Sequence, residues 1–126
     1  MIPPNVPFMN IAYWSTTLLT ALYLAWSAYA YLFSDTMIEG VRAIGFPDFF
    51  RIELAVLKAI AVVVLVVPGI PGPYKEWAYV GVGLFYLTSL VAHFAHKDPL
   101  VINLINVGLI AVLVASFWCG REAKFL

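Results

Sequence analysis

The stretch between Asp48 and Pro68 constrains this chain more than any other, because it is long and apolar enough for a bilayer and yet carries charge. Phe49 to Val67 are nineteen residues, a helix of roughly 28 Å, close to the thickness of a hydrocarbon core. The half from Ala59 to Val67 is wholly apolar, whereas the first half holds Arg51, Glu53 and Lys58. An ionisable group at the depth of Lys58 costs about 3 kcal/mol on insertion scales unless it is paired or hydrated. A chain built around such a helix is a membrane protein with a polar feature in one leaflet.

The rest of the sequence agrees with that solvent. Of 126 residues 63% are hydrophobic and only 11% charged, and seven Lys and Arg balance seven Asp and Glu. With no basic surplus, the electrostatic footprint of a nucleic-acid partner is missing. The single cysteine, Cys119, cannot form an intramolecular disulfide, which argues against the paired-thiol chemistry of disulfide-forming catalysts. Met1-Ile-Pro-Pro-Asn-Val-Pro7 has neither a basic n-region nor a small-residue cleavage site, and reads as mature sequence.

Ile11 to Phe33 form an uncharged run that is the first span, with Ala21, Ala25 and Ala28 offering a groove for close helix approach. Thr36-x-x-Glu39 has the pattern of a capping box and Gly45 with Pro47 that of a stop, predicting a short helix over 36–44, on the membrane surface or packed on the bundle. Asp48 is expected to cap the second span, 49–67. Pro68-Gly-Ile-Pro-Gly-Pro73 and Lys97-Asp98-Pro99 leave room only for tight returns, so spans 76–96 and 100–118 run antiparallel to their neighbours. The expected fold is all-α: a single domain over 1–126, an antiparallel bundle of four transmembrane helices with a short interfacial helix between the first two. Glu76, Trp77 and Tyr79 open the third span and are expected at the interface. Both termini lie on one side. Lys75, Arg121 and Lys124 there balance Arg42, Arg51 and Lys97 on the other, and a cytoplasmic side for the termini is only slightly preferred.

Antiparallel order also sets depth. Lys58 lies roughly 10 Å below the loop-side surface, at the level of Ser27 and Tyr31 from the first span, Ser89 and His93 from the third, and Asn103 and Asn106 from the fourth. Two accounts follow. In one, Lys58 snorkels to the headgroups, Glu53 pairs with Arg42 or Arg51, and the asparagines bond across helices. In the other, Glu53, Lys58, Ser89, His93, Asn103 and Asn106 line a ligand pocket, and the Lys58 amine meets polar atoms of the third or fourth span. His93-x-x-His96 has no acidic or thiol ligand in the next turn, so no metal is expected.

The order of Gly45-Phe-Pro47, Glu53 and Lys58, Pro68, Glu76-Trp-Ala-Tyr79 and His93 resembles the DoxX-like family of small four-helix membrane proteins from bacteria and archaea, over about Tyr13 to Trp118. The resemblance implies a cytoplasmic-membrane location and a link to quinone-dependent oxidoreductase assemblies, and supplies no catalytic residue. Quinone is the one cofactor it implies. The leading expectation is an accessory subunit docked to other membrane subunits or to itself; the alternatives are a quinone-linked component with a loop-side pocket, and a small-molecule carrier or lipid-binding protein.

Overall fold

Turn formers and caps divide the described residues into five helices. The computed structural model describes residues 6–126: α1 (Val6–Phe33), α2 (Asp35–Ile44), α3 (Asp48–Val66), α4 (Gly72–Ala95) and α5 (Leu100–Glu122). The reading of the N-terminus falls mostly outside the described residues. α4 starts four residues earlier than expected because Pro73 sits in its first turn, where a missing N–H removes nothing from the helix. Ser34 caps α2, accepting from the Met37 amide at 3.3 Å, so the cap is Ser34 and not Thr36. Gly45 closes that helix with φ of 109°, a left-handed conformation that glycine adopts without a Cβ penalty.

Two helices, α4 and α5, are long and apolar enough to cross a membrane. α1 has the length, but Tyr, Trp, Ser and Thr dilute its apolar residues, and α3 gathers Asp48, Arg51, Glu53 and Lys58 within one helix. The four long helices pack in a ring in the order α1, α3, α4, α5, and α2 rests on α1 and α3. Large apolar side chains cover the outside of the ring, and polar side chains share its inside with an apolar core of Leu24, Leu65, Val82 and Leu113. Phe49 and Phe94 are 75% and 76% exposed, while Thr17, Thr20, Ser27, Lys58, Asn106 and Ser116 are buried. An apolar outside around a polar inside is the arrangement a lipid solvent favours.

Asp48 does not cap α3. Pro47 occupies the cap position without a side-chain bond, and the Asp48 carboxylate instead accepts from Arg42 Nε at 2.8 Å and Nη2 at 2.9 Å. Arg42 also donates to Glu39 at 2.7 Å, locking the elbow between α2 and α3. These hydrogen bonds hold the Asp48 carboxyl below the usual carboxylate range and raise the Arg42 guanidinium. The contribution of Asp48 is therefore complete above its unfolded value of about 3.9 and fades as pH falls through the lower, folded one. Amide hydrogen exchange around Gly45 to Phe50 should rise on that acid side. In Asp48→Asn it should already be raised at neutral pH and lose this pH dependence.

Candidate functional site

The inward seams are read most simply from α1 and α4. Tyr13, Thr17, Thr20, Leu24, Ser27 and Tyr31 follow alternating steps of four and three, and so do Lys75, Tyr79, Val82, Tyr86, Ser89 and His93. Such spacing keeps one stripe of a helix facing its neighbours. Across the ring the two seams meet where Tyr23, beside the α1 seam, packs on Tyr86 with ring centroids 6.0 Å apart.

Three cations, Arg51, Lys58 and Lys75, are buried among these seams. Two of them are occupied by helix ends. Arg51 donates to the carbonyl of Tyr31, in the last turn of α1, and Lys75 to the carbonyls of Val64 and Leu65, in the last turn of α3, at 3.3 and 3.2 Å. Those carbonyls have no partner within their own helices, and a cation there also meets the negative end of the dipole. Lys58 sits mid-helix and has no such task. Its Nζ donates to Ser27 Oγ at 2.9 Å and lies 3.5 Å from the centroid of the Tyr31 ring, within cation–π range. No carboxylate among the described residues pairs with it. The amine points inward, and its partners come from α1 and not from the third and fourth spans, as the depth argument had it.

Lys58 opens onto a cavity of about 140 Å³. α1 contributes Tyr23, Leu24, Ser27 and Tyr31; α3 contributes Phe50 and Leu54; α4 adds Phe85, Tyr86, Ser89 and His93, and α5 adds Asn106. Met37 and Phe46 cover the loop side. Lys58, Ser89, His93 and Asn106 are thus brought together. Glu53 is exposed on α3 and outside the cavity lining, with no ion pair; the partners foreseen for it, Arg42 and Arg51, turn to Asp48 and the Tyr31 carbonyl. Asn103 faces an apolar groove between α4 and α5. Asn106 donates to the Ile102 carbonyl of its own helix at 3.2 Å, which is no cross-helix glue.

His93 stands at the mouth, its Nδ1 2.5 Å from Asp98 Oδ2. It lines both this cavity and an outer groove that contains His96 and Asp98. Asp98 is thus the acidic neighbour that the two histidines were not expected to have, although the described residues contain no cluster suited to a metal ion. The opposite end is closed by Leu24, Val82, Leu113 and Leu65, all buried. Beyond this apolar floor Ser116 Oγ lies 2.6 Å from Thr17 Oγ1 and 2.6 Å from Tyr79 Oη.

Tyr79, outside the Lys58 cavity, is buried in that second polar cluster, whereas neighbouring Trp77 is exposed and Glu76 reaches Arg121 at 3.4 Å. Thr17, Ser116, Tyr23 and Tyr86 were not singled out from sequence. The four-three recurrence along α1 and α4 is the signal that finds Thr17 and Tyr86. The resulting chamber has aromatic walls, one unpaired cation and several hydroxyl groups. Such a chamber suits a small planar molecule bearing oxygen acceptors.

The sequence model of the DoxX-like family matches residues 15–116. Neither a curated protein nor a solved structure matches the chain.

Proposed function

The chain belongs to the DoxX-like family, and from this premise we propose that it is a four-span membrane protein that binds a single-ring, quinone-type molecule in the Lys58 cavity. α1, α3, α4 and α5 cross the cytoplasmic membrane, α2 lies at the loop-side interface, and both termini share the other side. The observation that carries the binding reading is the Lys58 amine, directed into a cavity and left without a carboxylate. Burying a cation is costly in lipid as in protein, and Arg51 and Lys75 show how this bundle uses a cation for structure alone. Lys58 has no helix end to serve.

The quinone implied by the family resemblance fits the residues present. A cavity of 150 Å³ is known to hold one benzene ring, and about 140 Å³ is likewise of ring size. Lys58 is the residue that would hold one of its oxygens, and Tyr86 lines the wall beside it. A bound quinone supplies two-electron, two-proton redox chemistry. The chain's own part is to orient the ring between aromatic walls, to exclude water through the Leu24 floor, and to hold the imidazole of His93 against Asp98 at the mouth.

Duroquinone, a tail-free benzoquinone, tests the reading. Equilibrium dialysis against the purified protein in lipid nanodiscs, with empty nanodiscs as background, should show one saturable site. Ser89→Phe, which fills the cavity without changing charge, should abolish it. Duroquinone partitioning equally into empty and loaded nanodiscs would leave the accessory-subunit reading in its place.

A further inference from the structure

α3 and α4 make the sparsest contact of any neighbouring pair of long helices. Between them runs an apolar cleft of about 480 Å³, extending along α4 from Phe85 to Tyr74, roughly 16 Å of helix. Leu57, Ile60 and Val64 form its wall, and Ala61 and Val82 its floor. Gly81 keeps it open, since a Cβ built there meets no atom within 4 Å. At its inner end Phe85 lines both this cleft and the Lys58 cavity. Two other apolar grooves of similar size, about 470 Å³ between α4 and α5 and about 440 Å³ between α1 and α3, share no lining residue with that cavity.

The two adjoining spaces differ in chemistry. One is ring-sized and is lined by Lys58, whose amine pairs with no carboxylate among the described residues; the other is elongated and almost wholly apolar. We propose that the ligand is an amphiphile, with its oxygen-bearing ring beside Lys58 and its hydrocarbon tail passing Phe85 into the α3–α4 cleft. This rests on the cavity reading above and adds the class of molecule. In a bilayer the tail gains no hydrophobic transfer energy from the cleft, since lipid is equally apolar. The head therefore determines which tail enters, and an ordinary lipid chain lacks that anchor.

A benzoquinone-headed probe with an alkyl tail ending in a photoreactive diazirine separates the cases in nanodiscs. Labelling should concentrate on Leu57–Val64 and Tyr74–Phe85. Lys58→Met should lower it about tenfold, the loss expected for one charge-assisted hydrogen bond. Gly81→Leu should remove labelling of the cleft while duroquinone binding is retained. Cleft labelling indifferent to Lys58→Met identifies an ordinary annular chain and overturns the proposal, as does labelling centred on either of the other grooves. If duroquinone itself fails to bind the wild-type protein, the cavity reading is what has failed, and the tail assignment falls with it.

Discussion

Lys58→Met is expected to weaken ligand binding about ten- to a hundredfold while leaving the bundle as stable as before or more so. The charged amine is buried with one hydroxyl, Ser27 Oγ at 2.9 Å, and one aromatic face, Tyr31, as its partners. Neither returns what a carboxylate would, and replacing a buried charge with an apolar side chain of similar length is often neutral or stabilising by about 1–4 kcal/mol. Ser27 loses a donor but can turn back to a carbonyl of its own helix. The ligand, by contrast, loses its only cation, worth about 1.5–3 kcal/mol, or roughly ten- to a hundredfold in affinity. Duroquinone binding and denaturant melts on the same nanodisc preparation give both numbers. A variant that binds as tightly as wild type would remove Lys58 from the site. A variant that is less stable by several kcal/mol would make Lys58 structural, as Arg51 and Lys75 are.

The opposite pairing of effects is expected for those two capping cations, and the contrast explains what the sequence did and did not disclose. The order of the helices and the turns between them were legible because they depend on local signals: the Pro68–Pro73 turn, the Lys97-Asp98-Pro99 turn, and apolar runs of bilayer length. That Lys58 sits mid-helix was legible for the same reason. Its partner was not, because lateral order around a bundle depends on which seams interlock, and a single sequence gives no register between α1 and α3.

Tyrosine and threonine posed a different difficulty. In a bilayer protein apolar residues cover the outside, so hydrophobic periodicity no longer marks the core, and only strongly polar residues point unambiguously inward. Tyr is at home both in headgroups and in a hydrogen-bonded interior, so its place beside Trp77 gave no sign that the Tyr79 hydroxyl reaches Ser116. Glu53 was assigned to the pocket by depth alone, and the helix turns it away. Ser34 and Thr36 both suit an N-cap, and only backbone geometry separates them.

Gly120→Ala is expected to destabilise the protein by about 1–2 kcal/mol, an overpacking cost set against a helix-propensity gain of up to about 1 kcal/mol. A Cβ at Gly120 would lie 2.9 Å from Tyr13 Cε1, 3.0 Å from Tyr13 Cδ1 and 3.0 Å from Leu126 Cδ1. Leu126 can swing its methyl aside. Tyr13 cannot yield as easily, because it is fully buried and its ring stacks on Phe125 at 4.5 Å and meets Trp14 edge-on at 5.1 Å. The control is Gly108→Ala on the same helix, where a Cβ meets no atom within 4 Å and the propensity gain acts alone. Melts of the two variants should therefore move in opposite directions. Gly120 lies beyond the apolar floor formed by Leu24, Val82 and Leu113, so the folded fraction of Gly120→Ala should bind duroquinone with wild-type affinity. Affinity falling in step with stability would mean that the floor transmits strain between the two polar chambers and does not separate them.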